Sequence, residues 1–535
     1  MKSINSPKEA AEAKYEIERC LLGEQVWRLE SDGSTLACFP PAHFELTVEW
    51  GKLILTWWDD EQAQSVRIVG HDVAPSRILL NVTRGMMRAP VTLALLRDSG
   101  ARLGLREAPP GELSERRRWH ARNLAEAIRR AMPGMAVKRV TAGPDPRHNV
   151  PGCYARLLLS RRGRAILAIG VEESESQATI DGVIAAGLIW LHSYNSGRSP
   201  EKQAESLWFC LPRNRSLTAM ERIPLLSVAH LNSRLECFEM DEERGELTPL
   251  HPIAQTELLN AHPRELIWPA SAVDLAQAGG EWHRRIVALA PNLIEVRRRP
   301  GRDLIGYAIH GLEFARLDLS DNRQGQFGIA GDPARENECF TTLSERTFPV
   351  LRQLVGELVA GRASQASNRR HPYYRLRTEA WLESLLRRDI LKLDSALDPR
   401  HVYSQIPAWR GDERSVIDLL GVKRDGEGEG RLAVIEIKAA EDPQLPLQGL
   451  DYWLRVEQAR ARGEFGNRGL FPGVRLADRT PLLYLAAPRL RFHRTFAAIA
   501  RCLHPEIEAF RVGLNANWRE DVRVHVMERV NPPED

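Results

Sequence analysis

Three side chains in the C-terminal third of the sequence could do chemistry together: Asp418, Glu436 and Lys438. Asp418 lies in the apolar run Ser415-Val416-Ile417-Asp418-Leu419-Leu420-Gly421-Val422, and Glu436-Ile437-Lys438 closes the run Leu432-Ala433-Val434-Ile435. Between them, Lys423 to Gly430 holds Asp425-Gly426 and two further glycines, which is turn chemistry. Side chains alternate on a strand, so Glu436 and Lys438 share one face and Ile435 and Ile437 the other. Positions 418 and 436 lie equally far from 427, near the centre of the turn region. A symmetric hairpin therefore sets the two carboxylates opposite each other, with Cβ atoms about 4.5–5.5 Å apart. Facing like charges in an apolar setting need a cation or a proton between them. A hard divalent ion held by carboxylate oxygens meets that need, Mg2+ first and Mn2+ as its substitute.

Lys438 is conspicuous because the chain prefers arginine. Only nine of its 74 basic residues are Lys. A position that needed only positive charge would be expected to carry Arg. A compact ammonium beside a metal site can orient water or stabilise an oxyanion, where a planar guanidinium fits differently. Taken alone, a Glu-x-Lys strand is more often a solvated cross-strand pair, and Asp418 alone a strand-end residue.

The elements around the set make the pattern more specific. Leu376, Leu382, Leu385, Leu386, Ile390 and Leu393 give one helix an apolar stripe, with Glu379 and Glu383 beside it. The hairpin follows, and a further helix opens with Gln448. This order resembles the PD-(D/E)xK nuclease superfamily, the restriction-endonuclease-like fold, over about residues 370–535. The resemblance implies that Asp418 and Glu436 are metal ligands and Lys438 the catalytic lysine. It implies that Glu379 supports the metal or its water, and that Gln448 lies near substrate or metal. Ile417 stands where the motif has Pro, a frequent departure in so divergent a group. The implied activity is metal-assisted phosphodiester hydrolysis on a nucleic acid, DNA before RNA. Arg410, Arg414, Tyr452 and Arg455 are candidates for phosphate contact, each with a plain structural alternative as a surface cation or packed aromatic.

Residues 106–270 repeat the order helix, strand, Arg-rich turn, strand, helix. Aligning Ile166–Val171 with Val434–Ala439 puts Ala168 at the place of Glu436 and Gly170 at that of Lys438. Two readings follow: a second nuclease-like domain without its metal ligands, or a generic α/β unit. Glu172 and Glu173 lie just past the strand, but no Lys follows them, which speaks against activity there.

The expected architecture is therefore a multidomain α/β chain. Its parts are a β-rich module over 1–105, the degenerate nuclease-like α/β domain over 106–270, an α+β module over 271–365 and the nuclease-like domain over 366–535. The linker Gly361–Asn368 marks the last boundary. The chain has 535 residues and a net charge of +3, which excludes a protein that holds nucleic acid by being wholly basic. Locally the balance shifts: Asp451 to Val530 carries fourteen Arg, no Lys and nine acidic residues. The seven cysteines (20, 38, 153, 210, 237, 339, 502) are scattered, as in a reduced cytoplasmic protein, and offer no zinc-ligand spacing. No stretch is apolar enough to span a bilayer, and no P-loop is present. A homodimer or a protein partner fits this reading. The competing classes are a non-catalytic nucleic-acid-binding or regulatory scaffold on nuclease-like folds, and a protein-interaction scaffold that binds no metal.

Overall fold

The computed structural model of the chain describes residues 2–21, 27–31, 34–39, 44–49, 52–58, 63–74, 77–83, 91–97, 113–144, 150–227, 231–261, 266, 275–298, 303–319, 324–329, 340–366, 368–410, 413–424 and 428–532. They form a mixed α/β protein with several sheets, in two compact units: Met1–Leu113 with Asn368–Pro372, and Ser114–Ser367 with Tyr373–Asp535. Among the described residues, no helix is long and apolar enough to cross a membrane.

The first unit is an antiparallel sheet of β1 (Lys2–Ser3), β2 (Trp27–Ser31), β3 (Ser34–Phe39), β4 (Phe44–Glu49), β5 (Lys52–Trp58), β6 (Ala63–Ala74), β7 (Arg77–Thr83) and β8 (Val91–Arg97). A helix, Pro7–Leu21, packs Ala10, Ala13 and Ile17 on it. Ser6 and Glu9 bond reciprocally at its start, Ser6 N donating to Glu9 Oε2 (2.9 Å) and Glu9 N to Ser6 Oγ (3.2 Å). The spacing predicts helix over residues 9–29. The chain is instead a strand from Trp27, because Trp27 and Leu29 enter the core with period two.

The second unit holds three sheets. The first comprises β9 (Ala136–Ala142), β10 (Tyr154–Arg161), β11 (Arg164–Val171), β12 (Ala204–Pro212), β13 (Arg234–Asp241) and β14 (Glu246–Leu250), hydrogen-bonded in chain order. Arg162 and Gly163 both take positive φ (49° and 81°) in the β10–β11 turn, as a two-residue hairpin requires. An antiparallel meander follows: β15 (Ile294–Arg298), β16 (Leu304–Ile309), β17 (Leu312–Asp318), β18 (Gly325–Phe327) and β19 (Thr341–Thr342). The sequence predicts the next helix from Leu343. It begins at Phe348, with Pro349 in its first turn, while Leu343 packs into the meander core.

The third sheet comprises β20 (Tyr403–Arg410), β21 (Glu413–Arg424), β22 (Glu429–Ile437), β23 (Arg475–Leu476), β24 (Leu482–Pro488), β25 (Ala509–Leu514) and β26 (Val524–Arg529). Setting aside the two-residue β23, its order is β20-β21-β22-β24-β25-β26. Both six-strand paths run antiparallel, antiparallel, parallel, parallel, antiparallel. Each parallel crossover from the third strand carries a long helix, Val183–Asn195 in one and Leu445–Ala461 in the other. One continuous apolar core joins the two sheets through these helices.

The meander fixes the helix Thr378–Arg388. Its β16–β17 turn, His310-Gly311, has φ of 46° and 73° and presses on that helix. A Cβ at Gly311 would lie 2.0 Å from the Ala380 carbonyl oxygen. Gly311→Ala must therefore move the helix as well as strain the turn, and is expected to destabilise the protein by well over ~1 kcal/mol in denaturant titration. An unchanged midpoint would contradict this contact.

Candidate active site

The β21–β22 ladder runs from Arg424–Gly430 to Leu419–Ile435, so Asp418 and Glu436 are the next positions in register. There the β21–β22 backbone ladder gives way to a side chain, Ile437 N donating to Asp418 Oδ2 (2.9 Å), while on the β24 side backbone pairing continues through Lys438 N to Ala486 O (2.9 Å). On the other side of β21, Gln405 of β20 lies in line with Asp418 and takes a left-handed φ of 54°. A non-glycine residue held in that region is strained, and such strain concentrates at functional sites. The hairpin thus opens at the two carboxylates.

Glu436 is buried at the end of β22, while Asp418 keeps an edge toward solvent. Lys438 Nζ donates to Glu436 Oε1 (3.0 Å) and lies 3.9 Å from Glu379 Oε2, on the more exposed helix side of the cleft. Burial pushes the Glu436 carboxyl up to about 7; Lys438 opposes the rise and Glu379 adds to it. Burial and then the Glu436 charge raise Asp418 well above the usual carboxylate range. Burial alone would lower the Lys438 ammonium, but Glu436, Glu379 and Asp418 outweigh it and hold it above the usual lysine range. Lys438 is therefore a fixed cation and hydrogen-bond donor, not a base.

Among the described residues, Glu436 Oε2, Glu383 Oε1 and Gln448 Oε1 are buried without a hydrogen bond. An orphaned carboxylate oxygen on Glu436, with Asp418 in register and both resisting ionisation, makes an oxygen set suited to a hard divalent cation. No group of three or more His, Cys, Asp or Glu among the described residues converges as a complete metal cage. Water and substrate oxygens would have to fill the remaining positions, as Mg2+ commonly requires.

Glu383, one turn after Glu379, is the carboxylate whose importance the sequence understated. It is buried, its Oε2 accepts from Arg297 Nη1 (3.2 Å) and Gln405 Nε2 (3.1 Å), and its charge bears on Asp418. Arg297 and Glu295 of β15 clamp this helix, since Glu295 also accepts from Ser384 Oγ (2.6 Å) and Arg387 Nη2 (3.1 Å). The signal available in the sequence was the i,i+4 spacing of Glu379 and Glu383.

The expected phosphate contacts fare unevenly. Tyr452 is partly buried, and burial, then the Glu436 and Asp418 charges, raise its phenol. Arg455 does not face a substrate path. It is buried, ion-paired with Glu221 and bonded to Gln458 Oε1 (3.2 Å), because its helix face packs on the β9–β14 half. Arg410 and Arg414 lie on β20 and β21, and their side chains fall outside the described residues.

The raised Glu436 carboxyl gives a sign to metal-free stability. The native state binds this proton more tightly than the unfolded chain, so the contribution is complete below the ordinary carboxylate range and is lost as pH rises through about 7. In chelator at pH 8, Glu436→Gln is expected to melt about 2–4 °C higher than wild type, on the order of 1 kcal/mol for a domain of ordinary size. Equal melting of the two proteins from pH 5 to 8 would contradict the crowding of these carboxylates.

No protein-family model and no curated protein matches the chain. Solved structures that overlap part of it include two. The structure of EndoMS in apo form is 10% identical, spans 39% of this chain and 87% of its own, and has a TM-score of 0.13. Can2 from Sulfobacillus thermosulfidooxidans, in complex with cyclic tetra-adenylate, is 10% identical, spans 52% and 88%, and has a TM-score of 0.12. Likenesses of that size carry no argument.

Proposed function

We propose that the chain is a metal-dependent nuclease whose centre is Asp418, Glu436 and Lys438. The observation that carries this reading is the pair of carboxylates at the opened end of one hairpin, with a lysine bonded to Glu436 and the other Glu436 oxygen left unpartnered. A binding module gains nothing from two carboxylates whose pKa values are both raised by burial, whereas a metal-dependent hydrolase needs them.

Asp418 and Glu436 would hold the divalent ion, with Glu379 and Gln448 beside it through water. When bound, such an ion lowers the pKa of a coordinated water and withdraws charge from the phosphate. Lys438 supplies the fixed positive charge that stabilises the extra negative charge on the phosphorane. Ile437 N holds Asp418 in orientation, and Glu383, through Gln405 and Arg297, holds the strand and helix that frame the cleft.

The test is incubation of the purified chain with duplex DNA, single-stranded DNA and RNA in Mg2+ or Mn2+. Fragments that appear with the metal and vanish with chelator support the reading. Intact substrates throughout, with nucleic acid still bound, would favour the scaffold alternative.

A further inference from the structure

The β9–β14 sheet and the six-strand path of the β20–β26 sheet are related as halves of a two-fold pair. Leu226 and Leu503 form an isolated antiparallel bridge, with Ser227 N bonded to Cys502 O and His504 N to Leu225 O, both at 2.8 Å. Exchanging 226 with 503 turns one bond into the other, so the bridge sits on the pseudo-two-fold axis. The helix contacts repeat reciprocally: Val183–Asn195 packs on Phe496–Ala500, and Leu445–Ala461 packs on Leu217–Arg222. The N-caps of the two crossover helices, Gly182 and Gln444, also meet, Gln444 Nε2 reaching Gly182 O at 3.5 Å. Each crossover helix starts just after the third strand of its sheet, where the candidate centre stands in the β20–β26 half. The two centre positions therefore lie on the same side of the pair.

Only one of them is equipped. The alignment read from the sequence sets Ala168 and Gly170 at the places of Glu436 and Lys438, but that face of β11 packs on the helix Leu113–Ala131, and a Cβ at Gly170 would lie 2.6 Å from Leu124 Cδ2. Glu436 instead shares the face of Leu432 and Val434, which enters the core joining the two halves, and the β11 residues on that face are Ile169 and Val171. Ile169 pairs with Arg156 of β10, so neither a carboxylate nor a lysine comes from these strand positions.

The two strands of a DNA duplex are themselves related by local two-fold axes. A two-fold pair of nuclease-like domains presents one centre to each strand, and a pair with one centre filled can cut only one. We infer, resting on the nuclease reading above, that the chain's substrate is duplex DNA and that it hydrolyses one strand per encounter. The β9–β14 half would serve as the second arm of the grip. In each turnover, water adds to phosphorus and one P–O ester bond breaks. The departing oxygen takes a proton, leaving one hydroxyl and one phosphate monoester.

A supercoiled plasmid separates the outcomes. With Mn2+ and the full chain, the expected first product is the open circle, accumulating to at least ten times the linear form before linear DNA appears; Asp418→Asn should form neither. Linear DNA appearing at the earliest times without an open-circle phase would overturn the inference and leave the nuclease reading standing. Cleavage of single-stranded DNA or RNA with an untouched plasmid would likewise overturn only the inference. No cleavage of any of these would overturn the nuclease reading and the inference together.

Discussion

Lys438→Met is expected to lower phosphodiester hydrolysis by about 10²–10³-fold while leaving divalent-ion binding in place. The reasoning is electrostatic. The ammonium is held above its usual range by three carboxylates, so it keeps its charge across the accessible pH range. Its contribution is greatest when negative charge builds on the phosphate, and a methionine of similar length removes that charge without opening a large cavity. Metal affinity should not fall, since a neighbouring positive charge is removed from the ligand oxygens of Glu436. Single-turnover cleavage in saturating Mn2+, beside calorimetric titration of Mn2+, reads the two effects separately. Full activity in Lys438→Met would remove it from the centre, and loss of metal binding would make its role structural.

Arg222→Ala is expected to cost about 3–5 kcal/mol, the range for breaking a buried ion pair from one side. Arg222 donates from Nε and Nη2 to both Asp451 oxygens (2.9 and 2.8 Å) and from Nη1 to the Asp181 carbonyl (2.7 Å). Its loss leaves the Asp451 charge in a largely buried place between the two halves. Arg222→Ala/Asp451→Ala should recover part of the loss, because the carboxylate that Arg222 neutralises is removed with it. Equal loss in the single and double variants, by denaturant titration, would show that the pair does not join the halves.

Hairpin chemistry was legible in the sequence because it is local. Alternation in 415–422 and 432–437, with glycines between, placed the centre of symmetry at 427, and the ladder keeps that register. The repeated order of elements over 106–270 was visible in the same way, as apolar runs, an Arg-Gly turn and a helix. Long-range partners were not legible. Glu383 depends on Arg297, 86 residues earlier, and Arg455 on Glu221, 234 residues earlier. No spacing rule connects such positions. Lysine scarcity alone does not mark Lys438. Lys423, in the same domain, is paired with Asp394 (2.7 Å), so a lysine among arginines is not by itself a sign of catalysis. What distinguishes Lys438 is its company: two carboxylates from facing strands, a third from the helix, and an unpartnered oxygen on Glu436.

The central claim is most directly tested by comparing wild type and Glu436→Gln for cleavage of end-labelled DNA in Mn2+ and in chelator. Glu436→Gln keeps the shape of the side chain and a donor or acceptor at each end, and removes only the charge that would hold the ion. Wild type should cut in Mn2+ and not in chelator, and Glu436→Gln should be slower by about 10²-fold or more in Mn2+. Cleavage by Glu436→Gln at the wild-type rate would contradict the assignment of this hairpin as the catalytic centre.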